Sequence, residues 1–121
     1  MPRRVLIVED EPHIVESLSF LLSREGFVVG ATGDGDQAMA KIAATRPDVL
    51  VLDVMLPGVN GFELLRRIRS DPELKATPVL MLTAKGQRRD REIAEDAGAD
   101  VFMTKPFSNA DVVSAVKALA S

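Results

Sequence analysis

The chain has 121 residues, 46% of them hydrophobic, and its 15 basic and 18 acidic side chains leave a net charge of −3. That length suits one domain with a real core, and the hydrophobic content excludes a disordered tail. With no cysteine, no tryptophan, no tyrosine and a single histidine, His13, disulfides, thiolate metal sites and cysteine nucleophiles are excluded, and the acidic balance argues against direct nucleic-acid binding.

Val5–Val8 is a short apolar run of the kind that forms a strand buried on both faces. Pro12 then sits where a first helical turn tolerates proline. Ile14, Val15, Leu18, Leu21 and Leu22 follow with helical spacing, and Gly26 can end that helix. Val28–Thr32 predicts a second strand, and Asp36 to Thr45 a second helix stopped by Pro47. Val49–Leu52 is the third strand. The third helix runs from Gly61 to Ser70, with Phe62, Leu65 and Ile68 on one side and Pro72 after it. Val79–Leu82 is the fourth strand. The fourth helix, Gln87 to Ala97, closes at Gly98 and is poor in large apolar residues, with Ile93 as its expected anchor. Val101–Met103 is the fifth strand. After it, Ser108 and Asp111 resemble a capping box, and Val112, Val116 and Leu119 form the expected buried stripe of a fifth helix.

The order is a strand and a helix, five times over. It implies right-handed crossovers and an α/β fold, a doubly wound five-stranded parallel sheet with helices on both faces. No run is long enough to span a membrane and no secretory signal is visible, so the cytoplasm is the expected location.

In an open parallel sheet, ligands bind outside the carboxyl ends of the strands. Glu9, Asp10 and Glu11 follow the first strand, Asp53 the third, Thr83 ends the fourth, and Thr104 and Lys105 follow the fifth. Only the second strand ends blandly. A strand order of 2-1-3-4-5 would bring Asp10 and Asp53 to one rim with Thr83 and Lys105 alongside, although spacing alone does not fix that order. Crowded carboxylates need a proton or a cation, and an all-oxygen set suits Mg²⁺, which shares its ligands with phosphate. An aspartate beside a cation, a lysine and a hydroxyl can itself become the nucleophile, forming an acyl phosphate. Each acid taken singly reads better as a helix cap or a solvated turn; the conjunction on four strand ends is what favours chemistry. After Asp53, Pro57-Gly58 marks a sharp reversal, with Gly58 and Gly61 supplying backbone freedom and Met55 a carbonyl that could face a metal.

Val8-Glu9-Asp10-Glu11, Asp53 with Met55-Leu56-Pro57-Gly58, Gly61-Phe62-Glu63-Leu64, Leu82-Thr83-Ala84, Ala97-Gly98-Ala99-Asp100 and Lys105-Pro106-Phe107 together resemble a two-component response-regulator receiver domain, from about Val5 to Leu119. The resemblance implies a flavodoxin-like (βα)5 sheet of order 2-1-3-4-5. It implies Asp53 as phosphoacceptor and Mg²⁺ held by Glu9, Asp10, Asp53 and the Met55 carbonyl, with Asp10 and Asp53 as direct ligands and Glu9 often acting through water. Lys105 matches the phosphoryl-binding lysine, and its bond to Pro106 matches a position commonly cis. Thr83 and Phe102 match the switch pair, the aromatic often being tyrosine in the family.

The function implied is a phosphorylation-dependent switch. It takes its phosphoryl group from a sensor histidine kinase or phosphotransfer protein and changes the surface of the fourth helix, fifth strand and fifth helix. It would not be an enzyme in the ordinary sense, only an acceptor that assists its own phosphoryl transfer and dephosphorylation. Implied partners are a downstream effector and, when phosphorylated, a second copy of the chain; neither nucleic acid nor membrane is implied. Residues 1–121 are then expected to form a single receiver with no output domain, either free-standing or the N-terminal part of a longer regulator, with Met1 just ahead of the first strand. Some positions depart from the family. The subfamily that dimerises through salt bridges has an acid and an arginine where Val101 and Ala115 stand here, although Arg91 and Asp100 match. Lys85 and Met55 occupy places where the family tunes phosphate lifetime, and Arg88, Arg89 and Arg91 form a basic cluster. An aspartyl-nucleophile phosphatase is an alternative, but it needs an acid where Met55 stands. A flavin carrier would find Glu9-Asp10-Glu11 repulsive. A phosphorylation-independent interaction module does not need so full an acidic set.

Overall fold

The computed structural model describes residues 3–84 and 88–121. Lys85 and Gln87, the latter the expected first residue of the fourth helix, lie outside the described residues, as does Met1. Ten elements alternate: β1 (Arg4–Val8), α1 (Pro12–Arg24), β2 (Val28–Thr32), α2 (Gly35–Thr45), β3 (Val49–Asp53), α3 (Gly61–Ser70), β4 (Val79–Thr83), α4 (Arg88–Ala97), β5 (Val101–Thr104) and α5 (Asn109–Leu119). All strand pairs are parallel, and the sheet order is β2-β1-β3-β4-β5.

The inner strands β1, β3 and β4 carry unbroken apolar runs, Val5–Val8, Val49–Leu52 and Val79–Leu82, because both of their faces are covered, and successive side chains divide between two cores. Leu6, Val8, Leu50, Leu52, Val79 and Met81 face Ala38 and Ile42 of α2, Leu64, Leu65 and Ile68 of α3, and Ala94 of α4. Val5, Ile7, Val49, Val51, Leu80 and Leu82 face Leu18 and Leu22 of α1 and Val112 and Val116 of α5. Each large side chain taken fully from water contributes about 1.5–3 kcal/mol, so these two layers dominate the stability. No helix among the described residues is long and apolar enough to cross a membrane.

Helix ends follow the local chemistry. Pro12 opens α1, and Gly26, with φ +94°, lies just past its end. The Asp34 carboxylate accepts the Asp36 N–H at 2.8 Å and starts α2 at Gly35, one residue before the expected start. The Ser108 hydroxyl accepts the Asp111 N–H at the head of α5. In α4 the buried residue is Ala94, not Ile93. This helix carries a small side chain where it meets the core, while Ile93 sits half-buried over the groove lined by Arg66, Arg69 and Asp96.

Arg69, on α3, ties three segments together near the amino ends of β4 and β5. It donates to the carbonyls of Gly98 (3.0 Å), Lys75 (2.9 Å) and Thr77 (2.6 Å), and to Asp100 Oδ2 at 3.0 Å. The same Asp100 oxygen accepts the Val79 N–H at 2.8 Å. Gly98 has φ +100°, and a Cβ there would approach Arg69 Nε to 2.9 Å.

Candidate functional site at the carboxyl rim of the sheet

The register sets the site. Val8 pairs with Leu52, Asp53 with Leu82, and Thr83 with Thr104, so the chain segments leaving β1, β3, β4 and β5 emerge side by side. Glu9, Asp53 and Thr83 are each at most 2% exposed, although all three are polar. One carboxylate oxygen from each of Glu9, Asp10 and Asp53 lies within 4.8 Å of the others, with Asp10 on the solvent side.

Lys105 reaches into this group. Its Nζ lies 2.7 Å from Glu9 Oε1 and 3.4 Å from Asp53 Oδ1. Asp53 Oδ1 also accepts the Met55 N–H at 3.4 Å. Glu9 turns Oε2 back to the N–H groups of Asp10 (2.9 Å) and Glu11 (3.2 Å). Its Oε1 has the Lys105 ion pair but no aligned hydrogen bond among the described residues. The Thr83 carbonyl accepts the Lys105 N–H at 2.7 Å, which locks the ends of β4 and β5 together. The Lys105–Pro106 peptide is cis.

The electrostatics follow from this crowding. Burial raises the Glu9 carboxyl most; Lys105 pulls it down, Asp53 pushes it up again, and the balance leaves it at about 7. Burial works against the Lys105 ammonium, but Glu9, Asp53 and Glu11 outweigh that, so its pKa rises above the usual lysine value. Three carboxylates face one ammonium. The surplus negative charge, the all-oxygen donor set and the unaligned Oε1 fit a hard divalent cation such as Mg²⁺ and do not fit zinc or copper.

The structure thus brings Glu9, Asp10, Asp53, Thr83 and Lys105 to one rim. Met55 lies just beyond β3 and is 62% exposed, so its side chain does not serve the core. Phe102 sits on β5, partly buried, with the Arg91 guanidinium 5.4 Å from its ring centroid. Arg91 and Asp100, the two residues matching the salt-bridged dimer pattern, are both engaged within the chain, by Phe102 and by Arg69. Arg88 of the basic cluster pairs with Glu92 at 3.4 Å. Gly58 has the expected positive φ of +85°. Gly61 does not; it is required because a Cβ there would collide with the Asp53 carbonyl oxygen.

The end of the second strand departs from expectation. The loop after β2 is not bland: Gly33 packs against Glu9 and Asp10, and Gly35 against Pro57 and Val59. The Gly33-Asp34-Gly35-Asp36 run was the available signal.

Residues 5–117 match the family model described as the response regulator receiver domain. This chain belongs to that family. Receiver domains are the phosphorylation-responsive parts of two-component response regulators, signalling proteins rather than classical enzymes, and they bind Mg²⁺ at an acidic pocket. This receiver is 46% identical over 118 residues to the probable transcriptional regulatory protein TcrX of Mycobacterium tuberculosis. It is 40% identical over 118 residues to the DNA-binding response regulator MtrA of Mycolicibacterium smegmatis. Each alignment covers 98% of this chain and 50% of the relative, so the chain spans about half the length of the curated relatives it matches. Among solved structures, a putative response regulator from Chloroflexus aurantiacus superposes with a TM-score of 0.93 at 36% identity, covering 99% of this chain and 98% of that one.

Proposed function

We propose that this receiver is a switch in which Asp53 accepts a phosphoryl group from the phosphohistidine of a sensor kinase or a phosphotransfer protein. The observation that carries the reading is the buried Asp53 carboxylate, held 3.4 Å from Lys105 and within reach of two further carboxylates. A carboxylate oxygen of Asp53 attacks phosphorus in line as the phosphorus–nitrogen bond breaks. The departing imidazole nitrogen takes a proton from solvent, and Asp53 becomes an acyl phosphate. Glu9, Asp10, Asp53 and the Met55 carbonyl would hold Mg²⁺, which when bound supplies positive charge to the phosphoryl oxygens. Lys105 holds one of those oxygens from the opposite side, and the Thr83 hydroxyl turns toward another. The same groups assist the later loss of phosphate to water.

Movement of Thr83 and Phe102 then favours one arrangement of α4, β5 and α5. Phosphate biases that equilibrium only by binding one arrangement better. The whole chain, residues 1–121, acts as one receiver unit. The relatives' names, a DNA-binding response regulator and a transcriptional regulatory protein, favour transcription as the output its effector controls.

The test is incubation with Mg²⁺ and acetyl phosphate, followed by intact mass. Addition of one phosphoryl mass, lost in Asp53→Ala, is expected. No label from either acetyl phosphate or a cognate kinase overturns the reading.

A further inference from the structure

The loop between β2 and α2 carries no group that the proposed chemistry uses, yet it touches both sides of the site. On one side the Glu9 N–H donates to the Thr32 carbonyl at 3.0 Å. A Cβ on Gly33 would lie 3.4 Å from Asp10 Cα and 3.4 Å from the Glu9 carbonyl oxygen. On the other side the Gly35 N–H donates to the Pro57 carbonyl at 3.0 Å. A Cβ on Gly35 would lie 2.6 Å from the Val59 oxygen, 2.8 Å from the Val59 nitrogen and 3.0 Å from the Pro57 oxygen. All of these are backbone atoms, which cannot swing aside as the end of a side chain can. Gly35 is also the first residue of α2, a position that favours proline and gains nothing from glycine. Helix propensity gives no reason for glycine at this position; close packing does.

We propose that the β2–α2 loop is a spacer that sets the separation between the Glu9–Asp10 pair and the β3–α3 loop carrying Met55, with Gly35 as its positioning residue. The inference rests on the Mg²⁺ reading of Glu9, Asp10, Asp53 and Met55. Sheet hydrogen bonds fix the ends of β1 and β3, but Met55 lies beyond the ladder, on a segment that reverses at Pro57-Gly58. That segment is tied back by Gly61 N–H to the Val54 carbonyl at 2.9 Å, and by Gly35 to Pro57. Mg²⁺ demands near-ideal geometry, so a displacement of a few tenths of an ångström in one donor registers in its affinity. A methyl group at position 35 must push residues 57–59 away from the acid pair.

The experiment titrates Mg²⁺ alone, by calorimetry, into the wild type and the variants Gly35→Ala, Gly33→Ala and Gly30→Ala. Gly30 is the control, since a Cβ there meets only Leu6 Cδ1, at 3.5 Å. Affinity is expected to be unchanged in Gly30→Ala and Gly33→Ala, whose Cβ atoms meet only ordinary contacts of 3.4–3.5 Å, and about tenfold or more weaker in Gly35→Ala, the range typical of groups that orient metal ligands. In metal-free Gly35→Ala the Met55 amide resonance is expected to shift while those of β3 and β4 stay in place. A folded Gly35→Ala with wild-type Mg²⁺ affinity overturns the spacer. If Gly35→Ala does not fold, a variant with one glycine inserted after Gly33, which lengthens the spacer without a clash, decides, and unchanged Mg²⁺ affinity in that folded variant overturns it equally. A wild type that binds no Mg²⁺ overturns the metal reading itself and the spacer with it, which distinguishes the two failures.

Discussion

Two polar clusters cap the same sheet at opposite ends, and each is organised around one cation. At the amino ends of β4 and β5, Arg69 meets three carbonyls and a single carboxylate, and that carboxylate also accepts a backbone N–H. Charge is balanced, and the donors have acceptors. At the carboxyl rim, Lys105 meets Glu9 and Asp53, with Asp10 close by, and one buried oxygen of Glu9 has no aligned hydrogen bond among the described residues. A saturated network holds a fold together. A network with surplus, partly buried carboxylates costs stability and is retained where chemistry needs it.

The contrast can be broken most sharply at Asp53. Asp53→Asn is expected to abolish phosphoryl labelling, read by intact mass, while stabilising the metal-free protein by about 1 kcal/mol in urea unfolding. Loss of stability in that variant would erase the distinction between the two ends. Arg69→Ala should do the reverse. It strips partners from three carbonyls and Asp100 at once, and a loss of about 2–4 kcal/mol is expected, with Mg²⁺ affinity unchanged by calorimetry.

A smaller effect concerns pH. The Glu9 carboxyl in the folded chain sits at about 7, above its ordinary 4.5. Between those values the folded state holds a proton that the unfolded state has released, so Glu9 lowers stability as pH rises from about 4.5 to about 7 and adds no slope above that. Urea midpoints measured in EDTA should show this decline, and Glu9→Gln should remove it. The smallest effect is at Arg91. Losing its stack over Phe102 should cost about 0.5–1 kcal/mol, measurable as a small drop in the unfolding midpoint.

Much of this was legible in the sequence, for reasons that particular residues show. Runs such as Val49–Leu52 are apolar on both sides because helices cover both faces of the sheet, so strand positions and the parallel class followed from the placement of these runs and their alternation with helical spacing. Strand ends name the residues at the rim, which is why Glu9, Asp10, Asp53, Thr83 and Lys105 could be grouped beforehand. The strand order came from the family resemblance, since periodicity along a chain says nothing of which strands are neighbours. What spacing cannot express is how loops approach one another. Gly35 and Pro57 lie far apart in sequence, as do Arg69 and Asp100, and their contacts depend on that order. The same holds for α4, where size at the contact, and not hydrophobicity, selected Ala94 over Ile93. Nor could the sequence show that Glu9 is buried against Lys105 and Asp53 with its carboxyl raised to about 7, the feature that most separates the rim from the Arg69 cluster.

The most direct test of that difference is urea unfolding across a series of Mg²⁺ concentrations. Wild-type stability should climb with Mg²⁺ as binding to the folded state requires, Arg69→Ala should gain the same increment from a lower baseline, and Asp53→Asn should gain far less. Wild-type unfolding that ignores Mg²⁺, or an equal gain in Asp53→Asn, would contradict the assignment of the rim's surplus charge to a bound cation.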